Sequence, residues 1–100
     1  MWHYYCGAVL TIYEIDQQGS LTQTLLGNPL ENPDTYPQHI IPAKTWFAAK
    51  LHQPKANAFT LAGCTVSPGF LYEDFEIGKR EFLLEQFPQH KKVIEELTRL

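Results

Sequence analysis

The side chains in this sequence able to move a proton, hold a metal or attack a substrate are few. They comprise four histidines, two cysteines, five tyrosines and scattered carboxylates. His3, His39, His52 and His90 stand far apart. None forms an H-x-H or H-x-x-x-H pair, so no two imidazoles are preset for a metal. His52 falls in a turn and His90 in a polar helical stretch, and both read as solvated. His3 and His39 fall on strands, where a structural role is the plainer reading. They are also the two that could accept a proton near neutral pH, with Tyr4 or Tyr5 as the matching donor. Cys6 and Cys64 lack metal-type spacing and read as a reduced pair in a reducing compartment. Cys64, in an apolar run, reads as a small buried hydrophobe with an inert thiol. Trp2, Tyr4, Tyr5, Trp46 and Phe47 could line a cavity or fill a core, roles that merge inside a barrel. Glu73, Asp74 and Glu76 read as a solvated acidic cluster. No Gly-rich phosphate loop and no G-x-S-x-G elbow occurs.

The elements that must position these groups are mostly strands. Trp2 to Cys6 is aromatic and extended, and Ala8 to Ile15 (AVLTIYEI) is β-branched and aromatic. Asp16 to Ser20 is a Gly-containing hairpin loop leading to a partner strand over Leu21 to Leu26. Gly27 to Pro37 holds three prolines with Asn, Asp and Gly and is a set of turns. Short strands follow at Gln38–Ile41, Trp46–Leu51 and 59–66, separated by turns at 42–45 and 52–57. Gly63 inside the last strand implies a bulge or a close backbone approach, and Ser67-Pro68-Gly69 ends it. Such spacing suggests a sandwich or barrel. The period then changes. Lys79 to Phe87 repeats apolar residues at helical spacing, Pro88 suits the first turn of a second helix, and Val93, Ile94, Leu97 and Leu100 form one stripe. This helical pair is expected to pack on the outside of the sheet.

One hundred residues allow one domain, divided here as a β portion over 1–75 and a helical segment over 76–100. A net charge of -3 disfavours a nucleic-acid binder. The short pairs Lys79-Arg80 and Lys91-Lys92 read as solvated faces. Trp2 to Cys6 follows Met1 with no basic n-region, so no signal peptide is expected, and no apolar run nears the ~20 residues of a membrane span. A cytoplasmic location is the expectation.

Three stretches carry a family resemblance. They are Trp2-His3-Tyr4-Tyr5-Cys6-Gly7, Pro42-Ala43-Lys44-Thr45-Trp46-Phe47-Ala48, and Gly63-Cys64-Thr65-Val66-Ser67-Pro68-Gly69-Phe70 with Asp74-Phe75-Glu76. Their order and spacing resemble the Cupin_5 family, whose typical strings are E-x-W-H-x-Y-x-G, V-P-A-G-x-W-x-x-A and G-C-T-V-x-P-G-F-x-x-x-D-F-E. The tail Leu97-Thr98-Arg99 fits as well. The resemblance implies a double-stranded β-helix (jelly roll), commonly a homodimer, related to sugar-nucleotide epimerases and seed globulins, without a settled activity.

Departures from the general cupin pattern matter for the chemistry. The first-motif Glu would fall immediately before Met1, so the chain reads as an N-terminally truncated jelly roll lacking the first-motif metal ligands. In the second motif, P-x-G-x-x-H, Lys44 takes the Gly position and Phe47 the His position. No cupin-type metal and no cofactor is expected. The pocket candidates are Trp2, Tyr4, Trp46, Cys64 and Phe70, holding a sugar-like or apolar small molecule. Strand alternation places Trp2 and Tyr4 inward with position 6, and His3 outward. The alternatives are an epimerase- or isomerase-like enzyme and a non-catalytic remnant acting in assembly. Open strand edges favour self-association, so a homodimer is expected.

Overall fold

The structure, a computed structural model, describes residues 1–67, 69, 71, 73 and 75–98. Pro68 of the expected turn, the pocket candidate Phe70, Asp74 of the acidic cluster and the tail residues Arg99 and Leu100 lie outside the described residues. The chain gathers into two compact units, Met1–Val66 and Ser67–Leu100.

The first unit holds six strands: β1 (Trp2–Gly7), β2 (Leu10–Ile15), β3 (Leu21–Leu26), β4 (Gln38–His39), β5 (Trp46–Leu51) and β6 (Thr60–Cys64). They form two three-stranded sheets ordered β4-β1-β6 and β3-β2-β5, antiparallel throughout. The strand expectations hold, with short adjustments at the ends. Ala8 and Val9 leave β2 because Gly7 turns at φ 101°. Asp16 closes the β2–β3 hairpin loop as expected of an Asx residue. Its Oδ1 accepts the amides of Gln18 and Ser20, while Gly19 takes φ 84°. Asn28 organises the 27–37 turns, where its Oδ1 accepts from Leu30 N and its carbonyl from Glu31 N and Asn32 N.

Register divides the β2 sheet into two faces. Leu10, Ile12 and Glu14 stand opposite Leu26, Thr24 and Thr22 on β3 and Leu51, Ala49 and Phe47 on β5. Side chains alternate along a strand, so these nine share one face. Thr11, Tyr13 and Ile15 share the other with Leu25, Gln23, Leu21, Lys50, Ala48 and Trp46. The first face meets the β1 sheet, because the Phe47 ring packs edge-on against Trp2 at 6.3 Å. Ile12 and Leu26, both 0 % exposed, are the fully buried apolar side chains of this face.

Gly63 answers the close-approach expectation. A Cβ there would lie 2.8 Å from the Tyr5 hydroxyl, so glycine makes room for the Tyr5 ring. The bulge itself falls on β1, where register shifts between Tyr4 and Cys6. Alternation therefore holds for Trp2 and Tyr4 and is interrupted before Cys6.

The second unit contains α1 (Arg80–Gln86), a turn of 3-10 helix (Pro88–His90) and α2 (Lys91–Leu97). Pro88 opens the 3-10 turn, since its missing N–H costs nothing in a first turn. Leu83 and Ile94 are buried. Arg80 ties the ends of the hairpin together, donating to Thr98 Oγ1 and to the carbonyls of Glu95 and Thr98.

Lys44, at the position where the second cupin motif has glycine, takes φ 60°. A side chain in that left-handed region costs roughly 1–2 kcal/mol. Lys44→Gly is expected to relieve it and raise stability by about 0.5–1 kcal/mol after the entropy of glycine is subtracted. Urea unfolding checks this: a higher midpoint is expected, and an unchanged or lower one contradicts it.

Candidate functional site

The polar centre of the first unit is a pair that joins the two sheets. Glu14 lies on the apolar face of β2, two residues beyond the fully buried Ile12. His39 comes from β4, and its Nε2 lies 2.9 Å from Glu14 Oε1, with the side chains 23% and 12% exposed. An ionised carboxylate only accepts, so the imidazole donates from Nε2. That leaves Nδ1 as the nitrogen able to take or pass a proton. A carboxylate that orients an imidazole in this way is the usual construction of a positioned acid or base.

Aromatic side chains flank the pair. Trp2 stands opposite His39 on one side and Cys64 on the other, so the three form a row across the sheet on one face. Tyr4 follows on that face, opposite Ala62. Beside His39 a recess of about 540 Å³ is bordered by Thr24, Tyr36, Gln38 and Ile40.

The structure thus brings Trp2, Tyr4 and Cys64 to one face with His39. Trp46 is not among them. It stands opposite Ile15 on the other face of the β2 sheet, and its neighbour Phe47 is the β5 aromatic that meets Trp2. Cys64 is exposed rather than buried, because it lies at the end of β6, a strand with one neighbour in the sheet. Cys6 is free and exposed too. Register sets Cys64 opposite Trp2 and Cys6 opposite Leu61. Three residues along a strand are about 10 Å, beyond the ~7 Å Cα limit of a disulfide, so the two thiols do not bridge within the chain. His3 points away from the site as expected. Its Nδ1 accepts from Gln38 Nε2 and its Nε2 donates to Thr65 Oγ1. His52, read from sequence as merely solvated, is exposed but held by the buried Thr11, with Oγ1 3.0 Å from Nδ1.

Glu14 and its contact with His39 are what the sequence reading missed. The signal was present. Glu14 is the one charged residue in Ala8–Ile15, and alternation from Ile12 puts it on the core face, where an unpaired carboxylate is costly.

Tyr4 Oη donates to the Gly7 carbonyl at 2.6 Å. Burial, then the negative charges of Glu31 and Cys6, raise its pKa above the usual value for tyrosine. The neutral phenol is the form the fold favours. Its contribution to stability is therefore complete below about pH 10 and is lost as pH rises through the folded-state value. In a phenolate absorbance titration, a late step above the usual tyrosine value is expected, and Tyr4→Phe is expected to remove that step. A late step that survives the substitution contradicts this.

The donors among the described residues do not fit a cupin metal. Phe47, an apolar ring, stands where the second motif would supply histidine. Among the described residues, no group of three or more His, Cys, Asp or Glu side chains could hold a metal ion.

The fold is thus mostly β, two antiparallel sheets with a pair of C-terminal helices, and the His39–Glu14 pair lies where those sheets meet. The Cupin_5 family, described as Cupin superfamily (DUF985), matches residues 1–78, and the chain belongs to that family. A crystal structure of a Shewanella oneidensis protein is 41% identical with a TM-score of 0.88, matching 98% of this chain and 60% of its own. A hypothetical protein from Leishmania major is 29% identical with a TM-score of 0.83, matching 99% of this chain and 63% of its own. The chain therefore spans less than two thirds of the length of either. No match was found among curated proteins.

Proposed function

We propose that this Cupin_5 protein binds a small, sugar-like or apolar molecule between its two sheets, against His39, Glu14, Trp2 and Phe47. The observation that carries the reading is the half-buried His39–Glu14 pair, 2.9 Å apart on a face otherwise rich in apolar residues. Such a pair stabilises a fold no better than packed apolar side chains would, so its value lies in presenting Nδ1 and a carboxylate oxygen to a ligand. The Trp2 and Phe47 rings supply apolar contact area, and a recess lined by Met1, Thr24, Tyr36, Gln38 and Ile40 adjoins the pair on the His39 side. Tyr4 and Cys64 extend the same wall.

The same observation favours a second reading, an isomerase or epimerase acting on a carbohydrate. His39, oriented by Glu14, would be the base, and Tyr4, kept protonated by its raised pKa, the acid. The working unit is taken to be a homodimer. β6 supports this: it is an edge strand without charge or proline, flanked by the exposed Phe59 and Val66 and containing the exposed Leu61, and such edges pair with other chains. A reducing, cytoplasmic setting, in which Cys6 and Cys64 remain thiols, belongs to the same proposal. Among the described residues, no helix is long and apolar enough to cross a membrane.

Single-tryptophan variants test the binding reading. In Trp46→Phe only Trp2 reports, and in Trp2→Phe only Trp46. A panel of nucleotide sugars, hexose phosphates and small hydroxylated rings is expected to contain a compound that changes Trp2 emission saturably and leaves Trp46 emission unchanged. The same panel in deuterated water, followed by proton NMR, reads exchange at a substrate carbon. Exchange selects the enzyme reading, and binding without exchange selects the binding module. A panel that perturbs Trp46 alone contradicts both.

A further inference from the structure

The first unit has a second concavity, away from the His39–Glu14 pair. It is a cleft of about 360 Å³, framed by the β1–β2 turn, the end of β3 and the loops at 32–35 and 52–58. Its volume falls in the range of small-molecule sites, roughly 300–1,000 Å³. Ala8, Val9 and Leu25 give it apolar surface, and Asp34, Lys55 and His52 give it charge and hydrogen-bonding groups.

Two features separate it from a chance groove. The frame is tied together before any ligand arrives. His52 N donates to Val9 O at 2.9 Å, Ala8 N to Phe59 O at 2.7 Å, Ala58 N to Lys55 O at 3.1 Å and Thr35 N to Asn32 O at 3.0 Å. The imidazole of His52 is fixed through Nδ1 by Thr11, a buried hydroxyl, which leaves Nε2 for another partner. A frame already ordered loses little entropy on binding. The second feature is the charge arrangement. Separate loops bring one carboxylate, Asp34, and one ammonium, Lys55, to the same cleft, and neither is ion-paired among the described residues. Opposite charges that share a cleft without meeting match a ligand carrying the complementary two charges.

We propose that this cleft binds a small zwitterion of the α-amino-acid class with an aliphatic side chain. The ligand carboxylate lies against Lys55 and His52, its ammonium against Asp34, and its side chain against Ala8, Val9 and Leu25. The site is distinct from the one between the sheets and stands whether or not that one binds a ligand.

Nitrogen-15 NMR titration of the whole chain with L-leucine, its methyl ester and its N-acetyl derivative is the test. L-leucine is expected to shift the amides of Val9, Gln53 and Lys55 saturably. Each blocked derivative removes one charge-assisted contact and is expected to bind about tenfold more weakly. Lys55→Met is expected to weaken L-leucine to the level of its ester, and Asp34→Asn to the level of the N-acetyl compound. The spectra themselves report whether each variant is folded, and the two derivatives test the assignment on the unaltered protein. Three results overturn the proposal: no shift at tens of millimolar L-leucine, equal binding of all three compounds, or shifts at Trp2 and His39 in place of the cleft.

Discussion

Replacing Gly7 with alanine is expected to lower the thermal midpoint by roughly 10–30 °C. Gly7 turns the chain from β1 into β2 at φ 101°, a region that side chains rarely occupy and that costs of order 1–3 kcal/mol to impose. Space is lacking as well. A Cβ at Gly7 would sit 2.3 Å from the Phe59 carbonyl oxygen. That atom belongs to the backbone and cannot swing aside like the end of a side chain. It also accepts the Ala8 amide at 2.7 Å, so moving it breaks the link between the turn and the start of β6. Strain and the lost hydrogen bond together come to about 2–4 kcal/mol. A domain of this size has only about 5–15 kcal/mol in total. Gly63→Ala supplies the contrast. Its Cβ would meet the tip of the Tyr5 side chain at 2.8 Å, which can rotate away, so a smaller loss is expected. Equal midpoints for Gly7→Ala and the parent chain in a thermal melt would show that the turn is not held as described.

Ile12→Ala is the second large effect. Ile12 is 0 % exposed at the centre of the β2 sheet, opposite Thr24 and Ala49. Neither neighbour is large enough to fill the space that its removal leaves. Truncation of a buried isoleucine costs about 2–5 kcal/mol, with the upper values where the surroundings cannot collapse. The matching surface change, Ile40→Ala at a residue 64% exposed, is expected to fall within about 0.5 kcal/mol of the parent. Urea unfolding of the two variants checks this. A small effect for Ile12→Ala would mean that the face carrying Glu14 is not the buried core.

Most strands were legible from residue type and turn chemistry. Leu21–Leu26 and Trp46–Leu51 were bounded at the residues where the structure bounds them, because Asp16, Gly19, Ser20 and the 42–45 turn carry strong local signals. The helical pair followed from a change of period, and the family from three specific strings. The site was less legible. Alternation placed Trp2 and Tyr4 correctly relative to His3, since it needs only one strand. It does not say which residue of β5 faces them, because that depends on pairing with β2, so one strand alone does not separate Trp46 from Phe47, the residue that meets Trp2. The apolar surroundings of Cys64 in sequence suggest burial, whereas burial depends on whether a further strand flanks β6. The His39–Glu14 contact joins residues on different sheets, and no local pattern encodes it beyond the unusual inward position of Glu14.

On the proposed function, a small molecule binds in the space between the sheets, at the His39–Glu14 pair. NMR titration of the whole chain with the strongest compound from the sugar and ring panel tests it most directly, following the His39 imidazole and the two indole N–H signals. Saturable shifts at His39 and Trp2, with Trp46 unmoved and binding weakened about tenfold by Glu14→Gln, are the result expected. Shifts that leave His39 and Trp2 in place, or binding indifferent to Glu14, would contradict it.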